Sequence, residues 1–193
     1  MSFLKGINKP KDMLLKLIRE GNRINFESDP LELVDHFFNF SVTAHSLRDW
    51  CIKQQNKINQ KKELNQSWDK ENYLVIAKDI ANSVKHFGIT YYLPDVKNSD
   101  TETSKTVSFE NNIDIAKNLN KALDDQNYRD SMSNSKPSFS IEFVDGNKVS
   151  LDDYVFNTIV YWIKYFDLNN ISRYEKYDSK LIFVNRKSWG QFT

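Results

Sequence analysis

Residues 139–166 read FSIEFVDGNKVSLDDYVFNTIVYWIKYF, and within this stretch the period of the apolar residues changes. Phe139, Ile141 and Phe143 alternate with Ser140 and Glu142, as one face of a half-buried strand does. Asp145-Gly146 stands before Lys148-Val149, so the strand is expected to turn back as a hairpin. Ser150, with Asp153 three residues on, then makes a capping-box-like helix start. From there Val155, Phe156, Ile159, Val160, Trp162, Ile163 and Phe166 cover most of the circumference of a helix reaching about Asp167, which marks it as the central buried helix. A hairpin feeding a buried helix predicts an α+β protein: a mainly helical body with a small antiparallel β-sheet or hairpin packed on it.

The remaining elements follow outward from this stretch. Met13, Leu14, Leu15, Leu17 and Ile18 predict a short first helix closed at Gly21, a residue suited to a left-handed C-terminal position. Ser28-Asp29-Pro30 reads as a helix start, and the helix to about Asn56 carries Leu33, Phe37, Phe40, Ala44, Leu47 and Cys51 on one face. A polar connection from Gln54 to Gln66 leads to a helix from about Trp68 to Phe87, with Tyr73, Ala77, Ile80, Val84 and Phe87 at the same spacing. Ile89 to Leu93, Val107 to Phe109 and Leu181 to Val184 read as strands, and Asn112 to Leu123 as an amphipathic helix. Polar loops are expected near 97–104 and 124–137. No repeat or boundary divides the chain, so residues 1–193 are taken as one domain.

Composition narrows the function classes. Among 193 residues, 27 Lys and Arg face 26 Asp and Glu, a net charge of +1 that excludes polybasic or acidic tails. One cysteine cannot build a disulfide framework or a Cys-based zinc cluster. No apolar run approaches the roughly 18 residues of a membrane span, and the first ten residues lack a signal-peptide core, so a cytoplasmic protein without membrane contact is expected. Glycine-rich phosphate loops, His-Glu-x-x-His and Gly-x-Ser-x-Gly are absent from the sequence, and no cofactor or metal is implied.

Two helices carry the polar residues with chemical potential. At about 100° per residue, Asp79, Asn82 and His86 fall together, away from the apolar stripe, with Lys78 and Lys85 beside them. Asn82 and His86 are one turn apart and can hold one ligand, while Lys85 supplies a phosphate-binding cation. The bland alternative is the solvated face of any amphipathic helix. Arg48 instead projects into the apolar stripe of its helix, where its guanidinium must find partners, either in an acid such as Asp79 or Glu71 or in a ligand. His45 lies on the rim of that stripe, and Cys51 continues it as a small core residue.

The segments His45-Ser46-Leu47-Arg48-Asp49-Trp50 and Asp79-Ile80-Ala81-Asn82-Ser83-Val84-Lys85-His86-Phe87 resemble a pairing on consecutive helices in bacterial proteins of uncharacterised function. A helix ending in a conspicuous His is also similar, at a distance, to the HEPN superfamily of helical dimeric proteins, which includes endoribonuclease toxins and phage-defence components. That family places an Arg four to six residues before its His, whereas no Arg stands so before His86, so the resemblance would draw its cation from Arg48 or Lys85. Two functions follow. One is a non-enzymatic binding or assembly protein that engages a protein partner or a second copy of itself, in a setting of defence or toxin systems. The other is a HEPN-like, metal-independent endoribonuclease acting on RNA, with His86, Arg48, Asn82 and Lys85 as its catalytic groups.

Overall fold

The computed structural model describes residues 6–85, 92–107 and 133–171, giving for 84–85, 98–107 and 133–139 the backbone alone. Its elements are α1 (Pro10–Phe26), α2 (Pro30–Gln54), a 3₁₀ turn (Ile58–Gln60), α3 (Lys61–Trp68), α4 (Asn72–Lys85), β1 (Val96–Val107), β2 (Ser133–Phe143), β3 (Lys148–Ser150) and α5 (Leu151–Leu168). The architecture is α+β, mostly helical with one three-stranded antiparallel sheet in the order β1-β2-β3. Of the expected strand Ile89 to Leu93, residues 92–93 are described and are not strand, while 89–91, the expected strand at 181–184, Phe109 and the helix at 112–123 lie outside the described residues.

α5 is the central helix. Ser150 caps it by accepting a hydrogen bond from the Asp153 N–H at 3.1 Å, and Leu151, Tyr154, Val155, Phe156, Ile159, Trp162 and Phe166 are buried along it. Tyr154 meets Phe37 and Phe40 of α2 edge to face, with ring centres 5.8 and 5.4 Å apart, and its hydroxyl shares a 2.9 Å hydrogen bond with Ser41. Toward its other end Trp162 packs against Trp68 at 5.7 Å. Such aromatic pairs add about 0.5–1.5 kcal/mol beyond their area burial.

Three sequence expectations are corrected. α1 does not stop at Gly21 but runs through it to Phe26. A Cβ at Gly21 would lie 2.9 Å from Ile159 and 3.0 Å from Val155, so this glycine lets α1 cross α5 closely rather than ending a helix. The connection after α2 is partly helical, and the helix expected from Trp68 is two: α3 ends at Trp68, whose ring is buried against α5, and α4 begins at Asn72. Finally, the polar stretch 97–104 is strand, as is Ser133 to Pro137, and these form a long ribbon. Alternation cannot reveal it, because Thr, Ser and Asn occupy both faces.

The hairpin at Asp145-Gly146 forms as expected. Phe143 donates to the Asn147 carbonyl at 2.8 Å, Gly146 takes a φ of +86°, and Asp145 accepts from the Asn147 N–H at 2.9 Å. Ile141 and Phe143 join the core, with Val96 and Val149 packed against it. These residues are the root at which the ribbon meets the helices. From Asn98 to Val107 the ribbon continues for roughly 30 Å at strand rise.

Candidate functional site

The described polar groups concentrate where α2, α4 and the ribbon root meet. Pro30 at the first position and Asp29, which accepts from the Leu31 and Glu32 N–H groups at 2.8 and 3.1 Å, start α2 in a fixed phase. That phase turns Arg48 inward, where it is only 3 % exposed. Its guanidinium donates to Asp69 Oδ1 at 2.6 Å and to the Leu74 carbonyl at 3.0 Å, and lies 5.8 Å from the centre of the Trp68 ring. The expected partners were Asp79 or Glu71; the observed one is Asp69, in the turn between α3 and α4. Lys78 reaches the same carboxylate at 3.3 Å, so Asp69 joins a cation from each facing helix. Burial raises the Asp69 pKa, but the Arg48 hydrogen bond and charge, with Lys78, outweigh this and hold it below its ordinary value.

Asp79 corrects a second expectation. It does not lie on a solvated face: it is 2 % exposed, and no cation pairs with it among the described residues. Oδ1 accepts from the Tyr92 hydroxyl at 2.7 Å, and Oδ2 accepts from the backbone N–H groups of Asp95 and Val96 at 2.8 and 3.1 Å. These two amides belong to the first residue of β1 and the one before it, so Asp79 holds the ribbon root to α4. Asn82, one turn along, donates to the Tyr92 hydroxyl at 3.3 Å, and Lys78 Nζ stands 5.0 Å from the centre of the Tyr92 ring.

His45 flanks the Arg48 cluster. Burial first, and then the Arg48 charge, pushes its pKa down to about 4, so the imidazole is neutral at neutral pH. Its Nδ1 is buried without a hydrogen-bond partner among the described residues. Cys51 is a core residue whose thiol burial pushes up to about 12.

Of the sequence-based site, Arg48 and Asn82 are in the described part. They do not converge: Arg48 engages the start of α4 at Leu74, roughly 12 Å along the helix axis from Asn82. Lys85 ends α4, with its side chain outside the description, and His86 lies outside the described residues. Asp69 and Tyr92 complete the network and were not singled out from the sequence. Neither belongs to an apolar period, and both owe their roles to loops.

Chemically, the Asp79 oxygens and the terminal nitrogens of Arg48 are engaged inside the fold, while Arg48 Nε and Nδ1 of the neutral His45 are buried without a hydrogen-bond partner among the described residues. No group of three or more His, Cys, Asp or Glu among the described residues is arranged to hold a metal ion, and none of the described helices is long and apolar enough to cross a membrane. Compared with protein-family models, curated proteins and solved structures, the chain shows no significant match to any.

Proposed function

We propose that this is a non-enzymatic binding or assembly protein that presents its β1–β2 ribbon to a partner. The observation that carries this reading is how the polar cluster is spent. Arg48 ties α2 to the α3–α4 turn, and Asp79 ties α4 to the amides of Asp95 and Val96 at the start of β1. A catalytic cation and acid would need donors and acceptors to offer a substrate, whereas the terminal nitrogens of Arg48 and both Asp79 oxygens already have partners inside the protein. Near-zero net charge gives little long-range attraction to nucleic acid, which also favours a protein partner.

One observation supports the second reading, the HEPN-like endoribonuclease of a defence or toxin system: His45 is a neutral imidazole beside the cations Arg48 and Lys78. The two readings separate in a cleavage assay with the full chain and a panel of single-stranded and hairpin RNAs. The binding reading expects no cleavage above that of a buffer control. Metal-independent cleavage that vanishes in both His86→Ala and Asn82→Ala, with thermal unfolding unchanged, would replace it by the ribonuclease.

A further inference from the structure

Among the described residues, β1 is an edge strand over its whole length, and β2 is one too beyond Ser140, where its pairing with β3 ends. The hydrogen-bond phase decides which residues turn their backbone groups outward. The Phe143 N–H donates across the β2–β3 hairpin to Asn147, whereas the Val144 N–H donates to Asp95 on the β1 side. Alternation along β2 therefore turns the even-numbered residues toward β1 and the odd-numbered ones away. The register then makes Asp100–Ser140, Glu102–Ser138 and Ser104–Lys136 hydrogen-bonded pairs, so Ser99, Thr101, Thr103, Lys105 and Val107 direct their N–H and C=O groups to the free edge of β1.

The two free edges are not equivalent. Pro137, paired in register with Thr103, is odd-numbered, so its missing N–H falls on the outer edge of β2 and costs the ribbon nothing. Proline at such a position blocks the addition of another strand. β1 has no proline from Val96 to Val107. A two-stranded ribbon is marginal in water, and a further strand on its open side stabilises it.

Resting on the binding reading above, we infer that the outer edge of β1 takes a second copy of this chain by antiparallel strand addition, while Pro137 closes the opposite edge. Charge selects the occupant's register. Outward residues must pair with outward residues, so Thr101 falls opposite Thr101, Thr103 or Lys105 of the other copy, and so on in steps of two. Centring on Thr101 sets Asp100 against Glu102 and Lys97 against Lys105; centring on Glu102 sets that carboxylate against its own copy. Centring on Thr103 pairs Ser99 with Val107, Asp100 with Thr106, Thr101 with Lys105 and Glu102 with Ser104, and no like charges face each other. That register forms roughly ten new backbone hydrogen bonds and one continuous sheet, β3-β2-β1-β1-β2-β3, across a two-fold axis.

Sedimentation velocity of the full chain over a range of concentrations tests the inference. Wild type is expected to form a dimer and Thr103→Pro a monomer, with unchanged helical circular dichroism, because the lost N–H points outward. Ser104→Glu keeps that N–H, sits beside Lys136 in its own ribbon and faces Glu102 of the other copy, so it should weaken the dimer about fivefold through two like-charge pairs. Pro137→Thr opens the second edge and should carry association beyond the dimer. A wild type monomeric throughout, or a dimer indifferent to both Thr103→Pro and Ser104→Glu, overturns the β1 assignment. The binding reading falls separately, by RNA cleavage.

Discussion

Arg48 and Asp79 are buried charges on facing helices, and the protein neutralises them in opposite ways. Arg48 is answered by a full negative charge, yet Asp69 keeps 37 % of its side chain in contact with solvent. Asp79 is answered by neutral donors alone, two of them backbone amides. The first arrangement fastens helix to helix and leaves its acid able to rehydrate. The second fastens the helical body to the sheet through a carboxylate that is itself buried. The difference teaches that the larger charge cluster need not be the one the fold depends on most.

The sharpest way to break this comparison is Asp79→Ala. It strands the Tyr92 hydroxyl and the Asp95 and Val96 amides, each paired now with a charged acceptor. Hydrogen bonds to charged groups contribute about 1.5–3 kcal/mol apiece, but water can reach part of this root, so a total loss of about 3 kcal/mol is expected in chemical denaturation. Amide exchange should quicken most in β1 and the adjoining end of β2. Asp79→Asn retains one acceptor oxygen and should lose about half as much.

Arg48→Ala comes next, at about 2 kcal/mol. Breaking a buried ion pair commonly costs 3–5 kcal/mol because a charge is left behind, but here the charge left behind is the half-exposed Asp69, still beside Lys78. What is lost besides is the second hydrogen bond on the Leu74 carbonyl, which keeps its place in the α4 ladder, and the cation over the Trp68 ring. Arg48→Met should recover part of the loss by refilling that space. If denaturation shows Arg48→Ala costing more than Asp79→Ala, the ranking of the two junctions is inverted.

These junctions also show what could be read beforehand. The inward turn of Arg48 was legible because an apolar stripe with a four-three spacing fixes the facing of every residue on the helix. Its partner was not, since Asp69 arrives through a turn created by burying Trp68, and that burial depends on α5, far along the chain. The burial of Asp79 is not legible for a related reason: the helix periodicity puts it off the apolar stripe, and only the polar root of β1 packing there makes that side interior. The hairpin and α5 were legible because Asp145-Gly146 and Ser150 act locally. The ribbon beyond them was hidden by having polar residues on both faces.

The smallest expected effect sharpens the contrast from the side of pH. His45 belongs to the Arg48 junction, and its pKa falls from 6.5 to about 4 on folding. The unfolded chain therefore binds the proton more readily, and the neutral imidazole contributes stability that is complete above about pH 6.5 and is withdrawn as pH falls toward 4. At about pH 5.5 this amounts to roughly 1 kcal/mol relative to neutral pH. Protonation there would set an imidazolium beside Arg48 and Lys78, with Asp49 and Asp69 only partly compensating. His45→Gln removes the titration while keeping a polar side chain of similar reach, so its stability should fall less between pH 7 and 5.5 than that of wild type, measured by urea denaturation at each pH. Among the described residues the Asp79 junction holds no histidine, and Asp79→Asn should leave this pH-dependent difference in place. Equal slopes in wild type and His45→Gln would mean that His45 is as hydrated in the folded protein as in the unfolded chain, and the Arg48 junction would then be open to water on both sides of the ion pair.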